Sequence, residues 1–282
     1  MTLDAKAKTE QFHALHTAPE LLVLPNAWDS ASAVLFEEAG FPAIATTSAG
    51  IAFCRGYRDG EQIPRDEMLD EVARIAARVD IPVTADLEAG YGTDPEAVAD
   101  TVRRAIEAGA VGCNIEDGIV SGDDPLLEYR LSVERILAAR EAADAADIPF
   151  VINARTDGFL RIGAGAKVLD ESVRRANAYY EAGARSLFVP GVFDGQTIGR
   201  LAREIAGPVN VLAGPKTPSV AELQALGVAR LSVGGGIARA AYTVTCEAAE
   251  ELRDSGTFEF TENTYSNAEL NALLDRDAPR NR

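Results

Sequence analysis

Four times along this chain a stretch of helical spacing ends in glycine, and an apolar, strand-like segment begins one to three residues later: EEAG at Gly40, EAG at Gly109, EAG at Gly183 and ALG at Gly227. Glycine just past a helix takes a left-handed conformation without a Cβ clash, so it stops the helix and turns the chain. Repetition of this helix-stop-strand unit predicts parallel strands joined by crossover helices. Eight strand segments read from β-branched and apolar runs: Leu21–Ala27, Ala43–Thr47, Val83–Glu88, Gly112–Asp117, Phe150–Thr156, Ser186–Pro190, Val209–Gly214 and Arg230–Gly234. Helices are expected between them, including Pro64–Asp80, with proline in the first turn, and Asp94–Ala108, opening with a cap, a proline and an acid. In 282 residues this pattern favours an α/β fold of the (β/α)8 TIM-barrel type over an open sheet. A barrel is expected over residues 1–260 and a C-terminal arm over 261–282. The Ser266–Leu274 segment of the arm reads as an extra helix, packed on the barrel or swapped onto a neighbouring subunit.

A formal charge of −17 opposes binding to nucleic acid or to an anionic membrane. No apolar run approaches the roughly 18 residues of a membrane span, and the first residues lack a signal-like apolar region, so a cytoplasmic protein is expected. Cys54, Cys113 and Cys246 have no CxxC spacing and are expected to be reduced and mostly packed, with Cys54 a small buried residue. His13 and His16 are expected on the surface of an N-terminal helix.

In a barrel of this kind the chemistry collects where strands end. The third strand finishes Asp86-Leu87-Glu88, the fourth Asn114-Ile115-Glu116-Asp117, and the fifth Asn153-Ala154-Arg155-Thr156-Asp157. Residues two apart on a strand face the same way, so Asp86 and Glu88 are expected together, with Glu116 and Arg155 on neighbouring staves. Carboxylates clustered without His or Cys favour a hard cation, Mg²⁺ or Mn²⁺, over zinc. After the second strand, Thr46-Thr47-Ser48-Ala49-Gly50 reads as a small-residue turn whose amides and hydroxyls can cradle an anion, and Asp59 follows within reach of the same rim.

These residues resemble the isocitrate lyase/phosphoenolpyruvate mutase superfamily through LPNAWDSASA, ATTSAGIA, GYRDG, DLEAGYG, NIEDG and NARTDG, in order, from Leu24 to Gly158. EAGARSLFVPG and the segment from Ala213 to Gly235 extend the resemblance more weakly. The resemblance implies a Mg²⁺-dependent enzyme acting on a small 2-oxo acid through an enolate. Asp86 would be the principal metal ligand, with Glu88 and Glu116 acting directly or through waters. Thr47, Ser48, Ala49, Gly50, Asn153 and Arg155 would bind substrate, and Asp59, Arg155 and Glu116 would be catalytic. It also implies a homo-oligomer, a tetramer or dimer, with a small anionic carboxylate as substrate.

One departure bears on the reaction. Isocitrate-cleaving members carry a Lys-Lys/Arg-Cys-Gly-His loop after the fourth strand, whereas residues 118–129 here contain no Cys, His or Lys. That segment, rich in Gly, Asp and Ser, is expected to form a mobile lid. Carbon–carbon cleavage or decarboxylation of an oxaloacetate- or methylisocitrate-like substrate is favoured. A phosphonopyruvate or phosphoenolpyruvate P–C bond enzyme is the alternative, disfavoured because no lysines cluster near the loop. A sugar-phosphate barrel binding at Ser232–Gly236 and a non-catalytic metabolite-binding barrel are the remaining readings.

Overall fold

Pro25 splits the first stave of the sheet. It has no backbone N–H to offer a neighbour, and the extended stretch it interrupts forms two short strands, β1 (Leu22–Leu24) and β2 (Asn26–Ala27). Seven more strands follow: β3 (Ile44–Thr46), β4 (Val83–Asp86), β5 (Gly112–Glu116), β6 (Val151–Arg155), β7 (Ser186–Phe188), β8 (Val209–Leu212) and β9 (Arg230–Ser232). All neighbours are parallel, in the order β1-β9-β8-β7-β6-β5-β4-β3-β2, so the split stave touches both the last strand and the next one and brings the sheet round into a barrel. The Asn26 side chain ties this seam. Its Oδ1 accepts from the Val233 and Gly234 amides, each at 2.9 Å, and its Nδ2 donates to the Thr46 carbonyl at 2.8 Å. The structure is a computed structural model and describes residues 5–118 and 124–275.

The helices are α1 (Ala5–Leu15), α2 (Ser30–Glu38), α3 (Ser48–Cys54), α4 (Arg65–Arg78), α5 (Pro95–Glu107), α6 (Tyr129–Asp144), α7 (Gly158–Arg161), α8 (Ala166–Glu181), α9 (Gly195–Glu204), α10 (Val220–Ala225), α11 (Gly236–Asp254) and α12 (Asn267–Leu274). The four glycine stops take the expected left-handed conformation, with φ of 87°, 90°, 105° and 87° at Gly40, Gly109, Gly183 and Gly227. Pro95 stands at the first position of α5, but the Asp94 side chain makes no capping hydrogen bond.

Side-chain alternation sorts the staves into two populations. Ala85, Cys113, Ile115, Ile152, Ala154, Leu187, Val211 and Leu231 share one apolar cluster with Val98, Val102, Ile136 and Ala176 of the surrounding helices. The intervening positions are polar and buried: Thr84, Asp86, Asn114, Glu116, Asn153, Ser186, Asn210, Arg230 and Ser232. Cys113 thus packs against helices, as its parity required, while Cys54 at the end of α3 and Cys246 on α11 are exposed, contrary to expectation.

At the opposite end of the barrel, α1 seats Phe12 among Leu22, Leu24, Ala45, Val111 and Val151. His16, expected on the surface, is buried at 4% exposure just beyond the end of α1. Its Nδ1 lies 2.8 Å from the Phe12 carbonyl, which requires a proton on Nδ1, so the bare Nε2 accepts from Arg230 at 3.3 Å. His13 is only partly exposed.

The C-terminal segment forms its expected helix. α12 has a capping box between Ser266 and Glu269, and Leu274 packs near Phe36 and Ile75, with Arg78 donating to its carbonyl at 2.7 Å. The 19-residue α11 buries only Ala238, and Val244, Leu252 and Ile237 stand exposed along it.

Burial, and then the neighbouring Arg230, push His16 down to about 3. The unfolded chain therefore binds the extra proton first, and stability falls as pH drops from about 6.5 toward 3, by about 1.4 kcal/mol per pH unit. Urea unfolding of the wild type and His16→Gln should show the wild-type advantage shrinking by about 2 kcal/mol between pH 6.5 and pH 5. An advantage independent of pH would contradict a neutral, buried His16.

Candidate active site

The strand ends converge on a cavity of 150 Å³ at the C-terminal face of the barrel, lined by Thr47, Ser48, Ala49, Asp59, Asp86, Asn114, Arg155 and Arg239 among others. A larger groove of 740 Å³ lies outside it, between the loops after β6, β7 and β8. Arg200 there is already paired with Glu204 and Asp170, and none of the acids of the strand rim lines it.

Asp86 ends β4 and is held from both sides. Its Oδ2 accepts from the Ser48 amide at 3.1 Å and the Ser48 hydroxyl at 2.9 Å, and its Oδ1 accepts from Asn114 at 3.3 Å. The segment read as a turn is the start of α3, with Thr47 as its N-cap accepting from the Gly50 amide at 3.3 Å. One of its leading amides is thus directed at a protein carboxylate, and Ala49 is the residue that follows it into the cavity wall. Gly50 sits behind that wall, where a Cβ would lie 2.6 Å from Thr47 and 2.7 Å from Trp28.

Glu88 reaches the rim by a route different from strand parity. β4 ends at Asp86, and Glu88 takes a left-handed φ of 52° in the turn that follows, with Gly90 at 87° and Tyr91 at 59°. Non-glycine residues in this conformation cost about 1 kcal/mol or more and persist where surroundings hold them. The surroundings do so here. Glu88 Oε2 accepts from the Glu61 amide at 2.7 Å, and Glu61 Oε1 accepts from the Tyr91 amide at 2.8 Å, which ties the loop carrying Asp59 to the turn. Arg135, buried on α6, donates to the carbonyls of Ala89, Gly92 and Glu116. Arg135 was missed, since an arginine inside a helix reads as solvated.

Arg155 faces Glu116 across paired positions of β6 and β5, with Nη1 at 2.6 Å from Glu116 Oε2. Asp157, fully buried, takes Nε at 2.6 Å and Nη2 at 2.9 Å. Behind it Asp117 accepts from the Asp157 amide at 2.9 Å, from Tyr179 at 2.6 Å and from Arg175 at 3.2 Å. Burial alone would lower the guanidinium pKa of Arg155, but Glu116 and Asp157 more than offset this and hold it above the ordinary value. Burial pushes Glu116 up, against the pull of Arg155.

The remaining acids repel one another. Burial and then Asp86 push Asp59 up, and burial followed by Asp86 and Asp59 pushes Glu88 up to about 8. Glu88 Oε1 is buried without a hydrogen-bond partner among the described residues. An orphaned carboxylate oxygen, like-charged neighbours and a cavity without His, Cys or Lys match the donor chemistry of a hard divalent cation. Among the described residues no three acidic, His or Cys side chains are already arranged as a coordination shell. Mg²⁺ requires no such shell, because it is bound through one or two carboxylates and keeps several waters.

Asp59, Asp86, Arg155, Thr47, Ser48 and Ala49 are thus brought together in the cavity, with Glu88 and Glu116 beside it, while Asn153 lies beneath it, fully buried and bonded to Asn114. Arg239, one turn into α11, was missed. Its signal was available, since helix side chains lean toward the N-terminus and this helix begins at the glycines after the last strand. The Gly234 amide, expected to help bind a phosphate in the sugar-phosphate reading, is engaged by Asn26. Of the segment expected to be a lid, residues 119–123 lie outside the described residues. Its ends are anchored, with Gly118 bridged to Leu126 and the Leu127 amide bonded to the Asp117 carbonyl at 2.8 Å.

The family model for phosphoenolpyruvate phosphomutase matches residues 12–253. The chain belongs to this family, within the isocitrate lyase/phosphoenolpyruvate mutase superfamily. It is 37% identical over 224 residues to an uncharacterized protein of Mycobacterium tuberculosis H37Rv, covering 79% of this chain and 81% of that one. It is 30% identical over 217 residues to 2-methylisocitrate lyase of Bacillus subtilis 168, covering 74% and 68%. Among solved structures, a Burkholderia cenocepacia J2315 protein described only broadly as a lyase or mutase matches with a TM-score of 0.91 and 44% identity, over 98% of this chain and 97% of that one. A phosphonopyruvate hydrolase in complex with oxalate and Mg²⁺ matches with a TM-score of 0.83 and 26% identity, over 94% of each chain.

Removal of one partner from a buried ion pair typically costs about 3 kcal/mol, because the other charge is left behind. Asp157→Asn should lower unfolding free energy by about that amount in urea titrations. A loss below about 1 kcal/mol, the level of an exposed pair, would show that Asp157 does not anchor Arg155.

Proposed function

We propose that this chain is a divalent-metal-dependent lyase that cleaves a C–C bond in, or decarboxylates, a small 2-oxo acid or its 2-hydroxy adduct. The observation that carries this reading is the meeting, inside one small cavity, of the acids Asp59 and Asp86 with the cations Arg155 and Arg239. The acids suit a metal, and the cations suit the carboxylates of a diacid. Similarity to a 2-methylisocitrate lyase supports C–C chemistry, and a related structure holding oxalate and Mg²⁺ supports a metal with a dicarboxylate ligand.

In this reading Asp86 holds the cation, with Glu88 and Glu116 as outer partners. When bound, Mg²⁺ or Mn²⁺ supplies Lewis-acid stabilisation of the negative charge that develops on a keto oxygen. The Thr47 hydroxyl and the Ala49 amide at the start of α3 receive the substrate carboxylate adjoining that oxygen, while Ser48, its amide and hydroxyl both given to Asp86, orients the metal ligand beside them. Arg155 donates to the reacting end, its direction fixed by Glu116 and Asp157 so that little reorganisation accompanies the reaction. Arg239 takes a second anionic group at the cavity mouth. Asp59, whose carboxyl is pushed above its ordinary value by burial and by Asp86, is the group placed to exchange a proton with substrate. The absence of lysine from the lining favours a C–C substrate over a phosphonate. The exposed face of α11 fits a homo-oligomer, which sedimentation velocity should read as a dimer or tetramer and which a monomer at micromolar concentration would refute.

Assay of oxaloacetate, 2-methylisocitrate and phosphonopyruvate with Mg²⁺ or with EDTA tests the assignment. Turnover of one of the first two is expected, lost in EDTA and in Asp86→Asn, with Arg155→Met lowering kcat about 100-fold, the effect of one oxyanion donor. Turnover of phosphonopyruvate alone would move the reaction to the P–C bond. Metal-independent turnover, or none, would overturn the proposal.

A further inference from the structure

One layer of the barrel interior is polar from stave to stave. The strand register sets Asp86 of β4 beside Asn114 of β5, Asn114 beside Asn153 of β6, and Asn153 beside Ser186 of β7. Asn153 and Ser186 are fully buried and Asn114 nearly so. Two side-chain hydrogen bonds run along the layer. Asn153 Nδ2 donates to Asn114 Oδ1 at 2.6 Å, and Asn114 Nδ2 donates to Asp86 Oδ1 at 3.3 Å.

Chemistry fixes the direction of this chain. An ionised carboxylate only accepts, so Asn114 must turn its NH2 toward Asp86, which leaves its carbonyl facing Asn153, and Asn153 must then donate. With no donor at position 153, only Asp86 orients the Asn114 amide, and the Asn114 carbonyl is left without the partner that fixes its rotation. At the far end, Asn153 Oδ1 and Ser186 Oγ are both buried without partners among the described residues. One bridging water would pair them and hold Asn153 in turn. Barrel interiors are ordinarily filled by branched apolar side chains, and an unmade hydrogen bond in such a place costs about 1–3 kcal/mol. Packing alone gives no reason for two amides and a hydroxyl in this layer.

We propose that Asn153 is a positioning residue. Acting through Asn114, it holds the Asp86 carboxylate in the rotation where Ser48 occupies both lone pairs of Oδ2 and Asn114 one of Oδ1, leaving the second lone pair of Oδ1 for a cation. Asn153 itself stands outside the cavity lining. This inference rests on the reading of Asp86 as the metal-holding residue.

The test is Mn²⁺ binding to the full-length protein without substrate, read by the loss of free Mn²⁺ signal in electron paramagnetic resonance. The proteins are the wild type, Asp86→Asn, Asn153→Val and Asn153→Thr. Valine and threonine share a shape and differ by one hydroxyl, so their difference reports hydrogen bonding rather than packing. Groups that orient a metal ligand typically change affinity by 10- to 100-fold, and Asn153→Val should weaken Mn²⁺ binding by about tenfold. Asn153→Thr should retain more than half of that loss in recovered affinity, with the two variants melting within a few degrees of each other in EDTA. Equal Mn²⁺ affinity in the valine and threonine variants, or wild-type affinity in Asn153→Val, would overturn the proposal. If Asn153→Val does not fold, Asn153→Ala and Asn153→Ser form the same matched comparison. Failure of the underlying reading looks different: the wild type binds no Mn²⁺, or Asp86→Asn binds it as tightly.

Discussion

Polar side chains that face into a closed barrel have no water to turn to and must find partners inside it. This constraint organises the whole C-terminal half of the interior. Asp86 is met by Ser48 and Asn114, Arg155 by Glu116 and Asp157, and Asn26 spends its amide on the seam between first and last staves. Each pairing fixes a rotamer, so the cavity has charged groups in set directions before any ligand arrives. Preorganised charge of this kind is the largest single contribution to catalysis in many enzymes.

The rim is held as much from outside the strands as from within them. Glu61 and Arg135 hold the turn after β4, one from the loop that carries Asp59 and the other from α6. Two left-handed residues, Glu88 and Tyr91, are tolerated there because these contacts over-determine the backbone. The arrangement ties the position of Asp59 to that of Asp86 although they are 27 residues apart in sequence.

All eight staves were legible in the amino-acid sequence because each is a short apolar run bounded by a glycine stop or a polar end, and the errors fall where a local pattern gave way to tertiary context. Asn153 shares its parity with Arg155, which placed it at the rim. Two residues of strand rise about 6.6 Å, so it lies one layer deeper. Glu88 was assigned by strand alternation although the strand ends at Asp86. His16 looked like a surface residue because its partner, Arg230, is 214 residues away. Cys54 falls on the outer end of a seven-residue helix that no periodicity could resolve. Similarity of motifs singled out Asp59, Asp86 and Arg155, which line one cavity, but the residues that hold them, Asn26, Glu61, Asn114 and Asp157, are ordinary polar types whose roles exist only in three dimensions.

The central claim is that Asp86 is a carboxylate kept in place for a cation, and the most direct measurement is anomalous diffraction from crystals grown with Mn²⁺ and oxalate. The expected map has a manganese peak bonded to an Asp86 oxygen, with Ser48 and Asn114 still on the carboxylate and oxalate reaching toward Arg155. A map in which Asp86 keeps its protein partners and no manganese lies beside it, at Mn²⁺ concentrations that support turnover, would contradict the claim.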